Sequence, residues 1–444
     1  MRRVSTQNGH PAAGPRSSDS GGVTNARRAR RHHGTTTGNS SRGNRSNSSP
    51  LSFLFLGFMA LLVLADLFYL FNVSVQSLAD RANKHQDNTE GAVEQDFHET
   101  HGHHLQMAPI PDPGEEQPLD DEDGDKGPIF EILKQAGIYK KDLDQATIDA
   151  LPTWTTIQLL FGKAPRIYGL DTCERFRNST DPTIRFFGIA GTFNTGTNLL
   201  SELMIQNCQI TERMNAYGHQ SKGMRWQVPW GKHYPASYRE QHATKTDKTV
   251  PFDHSLPLVT IRHPYSWMQS MCRHPYAASW KHSKEHCPNL VPTPEDDLAD
   301  GKTDQVPVTV KYSKEFSAHH DSLAHFWSDW YHLYYDANFP RIIVRFEDLL
   351  FYGKEVTETL CECGGGVPRE DRRPGGFMHI SESAKLGTSA HGKHKTDLVG
   401  ALIKYGNQDH LVDQMTPEDL EKAKAWFNPD IMKTFDYSHP NPQH

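Results

Sequence analysis

The first 50 residues contain no lysine and one acid, Asp19, yet nine arginines are spread through Ser, Thr, Gly and Asn. A segment so poor in apolar residues cannot bury enough surface to offset the entropy of ordering, so no packed domain is expected there. Cysteine is also scarce, six in 444 residues, and no two Cys or His pairs stand at zinc-finger spacing, which excludes that class of metal site. Positive charge is not in excess overall. A formal net charge of -7 gives no electrostatic basis for binding nucleic acid.

Long apolar runs are missing with one exception, Leu51 to Phe71, which is about the length a helix needs to cross a bilayer core. Its Asp66 costs roughly 2.5 to 3.5 kcal/mol at mid-membrane, against fourteen Leu, Phe and Val residues worth roughly 0.3 to 0.6 kcal/mol each. The balance favours insertion, and a transmembrane signal anchor is expected over residues 51–73. Arginines on its N-terminal side leave the tail, residues 1–50, in the cytosol and send the remainder into the lumen. An Arg- and Ser-rich, acid-poor leader is also the composition of an organelle transit peptide, but the strong apolar span that follows favours the anchor.

Residues 74–127 lack apolar periodicity of either kind and end in an acidic run, so a disordered stem is expected. His101, His103 and His104 within it read as a solvated polar tract rather than a metal cluster. A luminal domain is expected over residues 128–444, opening with Ile129, Phe130, Ile132 and Leu133 at helical spacing. All six cysteines fall on this side, where disulfides persist, although spacing does not fix their pairing. Asn178-Ser179-Thr180 is a glycosylation sequon, usable if this side is luminal.

Three short apolar runs, Ile184 to Ala190, Leu256 to Ile261 and Ile342 to Phe346, read as strands covered on both faces. Helical stretches intervene, including Thr197 to Gln206 and Ser322 to Tyr335. This alternation predicts an α/β domain with a P-loop-like parallel sheet flanked by helices. Near the C-terminus, Thr416-Pro417-Glu418-Asp419 predicts a capped helix running through Trp426.

Chemistry concentrates in Gly191-Thr192-Phe193-Asn194-Thr195-Gly196-Thr197-Asn198, placed between the first of these strands and a helix start. A loop of this kind turns backbone amides inward, and the helix N-terminus adds positive potential for a phosphate. The glycine spacing is that of a Walker loop. Thr197 and Asn198, however, stand where an NTPase needs Lys and Ser or Thr for its triphosphate and Mg²⁺. No metal is therefore required, and a donor whose transferred group is not a γ-phosphate fits better. A second segment, Arg262-His263-Pro264-Tyr265-Ser266-Trp267-Met268-Gln269-Ser270, ends another strand with an arginine fork and a serine on the following helix, which together can grip an anion.

Here the chain resembles the PAPS-dependent sulfotransferases over roughly Ile184 to Tyr437. In that family a loop similar to Asn194, Thr195, Gly196, Thr197 and Asn198 takes the donor's 5'-phosphosulfate, and an Arg-x-Pro-x5-Ser pattern, matched by Arg262, Pro264 and Ser270, takes its 3'-phosphate. Val344 to Leu349 is similar to the family's strand-end acidic motif. Joined to a type II anchor and stem, the resemblance implies a Golgi membrane enzyme that moves a sulfuryl group from PAPS to a hydroxyl acceptor, usually a carbohydrate.

The family usually has lysine where Asn194 stands, and a neutral hydrogen bond is worth about 0.5 to 1.5 kcal/mol against 1.5 to 3 for a charged one. Trp226 to Pro235 resembles the family's Lys-x-His-x-Pro segment with the lysine displaced by one, which makes His233 the expected base and Lys232 the expected replacement charge. Glu202 is a second candidate base. His391-Gly392-Lys393-His394-Lys395 falls where the family often closes a basic flap, whereas Arg273-His274-Pro275-Tyr276 repeats Arg262 to Tyr265 without indicating a second site. Two other readings stay open: a P-loop kinase, which would need a loop lysine and magnesium ligands, and a degenerate membrane-tethered domain that binds nucleotide or glycan without turnover.

Overall fold

A computed structural model describes residues 121–244, 250–296, 304–369, 376–382, 396–407 and 411–440. The arginine-rich tail, the Leu51–Phe71 run, the stem as far as Asp120 and the His391–Lys395 loop lie outside the described residues. Among the described residues, no helix is long and apolar enough to cross a membrane.

The central sheet has five strands in the order β1-β9-β5-β2-β4. Its core is β2 (Phe186–Gly191), β5 (Ser255–Ile261) and β9 (Ile342–Arg345), paired in parallel; β4 (Met224–Arg225) adds a further parallel edge, and β1 (Ile167–Tyr168) runs antiparallel to β9. Both faces are covered, which is why these strands read as apolar runs. Phe187, Ile189, Leu256, Leu258, Ile342 and Val344 enter one core, while Ala190, Val259, Ile261 and Ile343 enter the other. Alternation of side chains along each strand produces this division. The register sets Gly191 opposite Thr260 and Ile261 opposite Arg345, so the carboxyl ends of the three strands open on one edge of the sheet.

Helices are numbered as α1 (Gly127–Gln135), α2 (Trp154–Phe161), α3 (Thr197–Asn207), α4 (Pro264–Arg273), α5 (Leu323–Tyr335), α6 (Phe346–Phe351), α7 (Gly353–Cys363), α8 (Leu398–Tyr405) and α9 (Pro417–Trp426). Ser322 caps α5 through the His325 N–H, and Thr416 with Asp419 forms the capping box expected for α9. A three-stranded antiparallel sheet, β6 (Ala278–Ser279), β7 (Val308–Lys311) and β8 (Ser317–His320), and a short pair of β3 (Cys208–Gln209) with β10 (Val367–Pro368) complete the strands. Order reaches further toward the N-terminus than composition indicated. Residues 121–126 form two short helical turns meeting at Gly124; Asp125 accepts hydrogen bonds from the Thr155 N–H and hydroxyl (3.1 Å each), and Lys126 Nζ donates to the Ile148 carbonyl at 2.7 Å.

All six cysteines are paired: Cys173 with Cys363, Cys208 with Cys361, and Cys272 with Cys287. Cys361 and Cys363 thus bond to different distant partners and do not form a redox pair. Three bridges fit a secreted or luminal domain, where the redox environment preserves them. Asn178 of the sequon is exposed at the end of the helix Cys173–Ser179.

Beneath the sheet edge, Arg345 and Asp348 form a fully buried bidentate pair (2.7 and 2.6 Å). Arg345 also donates to the carbonyls of Phe161 and Phe435, and Asp348 accepts from the Arg166 N–H at 2.8 Å, so neither charge is left unsatisfied. The acidic motif at this strand end is therefore partly structural, tying α2 and the C-terminal segment to β9. Removing one partner leaves an uncompensated buried charge. Asp348→Ala is expected to lower unfolding free energy by about 3 to 5 kcal/mol in equilibrium denaturation; a change under about 1 kcal/mol would mean that the pair is dispensable.

Candidate functional site

The loop leaving β2 is held by its own side chains. Thr195 donates its hydroxyl to the Thr192 carbonyl (2.8 Å) and lies 2.9 Å from the Thr260 hydroxyl, while Thr192 meets the Tyr331 hydroxyl at 3.0 Å. These hydroxyls point inward, so Thr195 can serve an anion only through its backbone. Asn194 is left-handed (φ 62°), a conformation asparagine tolerates, and its amide N–H groups donate to the carbonyls of His274 (2.8 Å) and Ser270 (3.3 Å). Its side chain thus pins the loop to the end of α4. Its Oδ1 is buried without a partner among the described residues.

Gly196 ends the loop at φ 83°, with the Phe346 ring where a Cβ would project. It starts α3 without a side-chain cap. The N–H groups of the first turn have no intrahelical acceptors and carry the positive end of the helix dipole. Gly196, Thr197, Asn198 and Leu199 line a cavity of about 530 Å³, so this helix end faces open space suited to an anion.

The segment after β4 is fastened to the same strand end. The Gly191 N–H donates to the Lys232 carbonyl (3.0 Å), His233 Nδ1–H donates to the Gly191 carbonyl (2.7 Å), and Trp330 Nε1 donates to the His233 carbonyl (3.0 Å). With its proton on Nδ1, His233 keeps a lone pair on Nε2, and the ring lines the cavity. Burial pushes the imidazole down to about 4; the Gly191 carbonyl opposes that shift and the Lys232 charge adds to it. His233 is therefore neutral across the physiological range, as a base must be.

Lys232 reaches the helix end from this side. Its Nζ donates to Asn198 Oδ1 at 3.1 Å and lies 2.7 Å from the centre of the Trp226 ring. Burial lowers the ammonium to about 6, and the Glu202 carboxylate partly offsets this. Glu202 thus acts on Lys232 and is not part of the cavity wall.

At the end of β5, Arg262 donates through Nε (3.1 Å) and Nη2 (2.6 Å) to Ser266 Oγ, through Nη1 to the Asn194 carbonyl (2.9 Å), and through Nη2 to the Tyr405 hydroxyl (3.1 Å). Its guanidinium lies 5.2 Å from the Phe346 ring centre and 4.9 Å from that of Tyr405. Glu347 braces the strand end by accepting from the His263 N–H and the Tyr437 hydroxyl at 3.0 Å each. Ser270 Oγ accepts from Arg273 Nη2 at 3.1 Å.

The sequence-derived residues Asn194, Gly196, Thr197, Asn198, Lys232, His233, Arg262 and Ser270 all line this one cavity; Thr195 does not. Arg273, Lys404, Tyr405 and Trp226 also line it; the sequence presents Arg273 only as part of a repeated tetrapeptide and Trp226 only as the start of the His233 segment, and it singles out neither Lys404 nor Tyr405. Arg273 had a usable signal, since it lies three residues after Ser270 and so on the same helix face. Among the described residues, no group of three or more His, Cys, Asp or Glu is placed to hold a metal ion. No family model, curated protein or solved structure matches the chain.

The buried neutral histidines have a consequence for stability. Burial holds His263 down to about 3 and His379 down to about 4, each against a carbonyl that favours the charged form, whereas the unfolded chain titrates near 6.5. Their contribution is complete above pH 6.5 and is lost as pH falls toward 4, because the unfolded state binds protons that the folded state refuses. Denaturation midpoints measured from pH 7.5 to 4.5 are expected to fall below pH 6.5, each histidine adding a slope of up to about 1.4 kcal/mol per pH unit. A flat profile over that range would show that these rings charge in place.

Proposed function

We propose that the chain is a sulfotransferase that moves a sulfuryl group from PAPS to a hydroxyl acceptor, a carbohydrate, and that it acts in the Golgi lumen behind the type II anchor. One observation carries the reading: a single cavity joins an uncapped helix N-terminus with Lys232 to the Arg262–Ser270 cluster, and a neutral histidine lines the same space. A P-loop-like strand, loop and helix would hold the 5'-phosphosulfate at the α3 end. Arg262 and Ser270 would hold the 3'-phosphate.

In the transfer, the acceptor oxygen attacks sulfur while the bond from sulfur to the 5'-phosphate oxygen breaks and its electrons pass to that phosphate. His233 Nε2 takes the acceptor proton, and the backbone amides from Asn194 to Asn198 and the Lys232 ammonium stabilise the charge that develops on the leaving group. Lys232 supports this role because its amine lies against the helix end and binding of an anion would restore its proton. A second reading, nucleotide binding without turnover, draws on Asn194, whose amide is committed to α4.

Calorimetric titration with the product nucleotide PAP in EDTA is expected to show micromolar binding to the wild type and none detectable to Arg262→Ala. His233→Ala should retain that binding while transfer of labelled sulfate falls by about 10²- to 10⁴-fold. A folded protein that fails to bind PAP would remove the sulfotransferase reading; PAP binding with no transfer to any hydroxyl acceptor would favour the second.

Lys232 gives a separate test. With its pKa near 6, it is largely neutral at pH 7 before an anion arrives, so PAP binding should take up a fraction of a proton. The observed enthalpy at pH 7 should vary with the ionisation enthalpy of the buffer, less so below pH 6, and not at all in Lys232→Met. Equal enthalpies in all buffers would remove Lys232 from the anion site.

A further inference from the structure

We propose that Arg273, assisted by Lys404, is the residue that distinguishes a nucleotide carrying phosphates at both ends from one carrying a 5'-phosphate alone. The inference rests on the sulfotransferase reading and begins from what Arg262 has left to offer. A guanidinium has five N–H donors. Four contacts from Arg262 already go to protein acceptors: two to Ser266, one to the Asn194 carbonyl and one to Tyr405. Arg262 therefore contributes a fixed charge and one remaining N–H to a phosphate, and braces the loop against α8. A phosphomonoester has three terminal oxygens, and its other donors must come from elsewhere.

Arg273 and Lys404 are the cations placed to provide them, since both line the cavity together with Arg262 and Ser270. Among the described residues, the Arg273 fork makes one hydrogen bond, from Nη2 to Ser270 Oγ. Because Ser270 accepts there, its own hydroxyl proton remains available to an anion. Burial lowers the basicity of Arg273, and the neighbouring Arg262 charge lowers it further. Of the carboxylates on this cavity and its smaller neighbour, Glu347 is engaged by His263 and Tyr437, Asp397 caps α8 at the Gly400 N–H, Glu382 is exposed on the wall, and Asp413 partly offsets the repulsion at Arg273 from the pocket that both line. Converging cations of this kind are the chemistry of a dianion site. The Cys272–Cys287 bridge adjoins Arg273 and fixes the helix end that presents it.

The test compares PAP with 5'-AMP, which lacks the 3'-phosphate, in calorimetric titrations of the full chain. Arg273→Gln is expected to weaken PAP by roughly 10- to 100-fold, the span of one to two charged hydrogen bonds, while 5'-AMP affinity stays within about twofold of wild type. Arg273→Lys should restore part of the loss, and Lys404→Gln, at an exposed position, should reduce the PAP to AMP preference with the melting temperature unchanged. Loss of PAP and AMP affinity by the same factor, or unaltered PAP affinity in both Arg273→Gln and Lys404→Gln, would overturn the assignment and leave the sulfotransferase reading standing. Failure of the wild type to bind PAP removes both.

Discussion

The peptide groups around Gly191 are held from two directions at once, and the geometry of the cavity follows from that. Its N–H donates to Lys232 and its carbonyl accepts from the His233 ring, while along the sheet the same residue lies in register with Thr260. Thr260 in turn meets the Thr195 hydroxyl and gives its carbonyl to Tyr331. A strand end, a phosphate-type loop and a segment from beyond β4 are thereby fixed to one another through main-chain atoms. Side chains that would otherwise depend on long flexible stems start from anchored backbone, which is how a site gains accuracy without added rigidity in the side chains themselves.

The electrostatic design follows from burial. Charged groups that belong to the fold are paired and satisfied, as in Arg345 with Asp348. The groups facing the cavity are treated differently: Lys232 gives up much of its basicity to desolvation, His233 stays neutral, and Arg262 spends its donors on the loop and on Tyr405.

The parallel strands were legible because both of their faces are buried, so that apolar residues run through Leu256 to Ile261, broken only by Thr260, and through Ile342 to Val344. The Thr416 cap was legible for a local reason, since a cap is satisfied within one turn. The strand Ser317–His320 was not, because its mixed polar residues are only half-buried and carry no apolar alternation. In the site, Arg262 and Ser270 could be paired because strand and helix are contiguous, whereas Lys404 and Tyr405 come from a helix more than a hundred residues later, and only tertiary packing brings them to Arg262. The direction of the Asn194 amide was equally out of reach. Its partners, the carbonyls of Ser270 and His274, carry no residue-type code.

The two bridges that converge on α7 bear on where this fold can exist. Cys173–Cys363 and Cys208–Cys361 span 190 and 153 residues, so each closes a loop long enough to restrict the unfolded chain by about 5 kcal/mol on the chain-entropy account. A whole domain typically holds only about 5 to 15 kcal/mol in reserve. Much of the margin by which this architecture persists is therefore set by its surroundings and not by its packing, and the same polypeptide made in a reducing compartment would be a markedly less durable molecule.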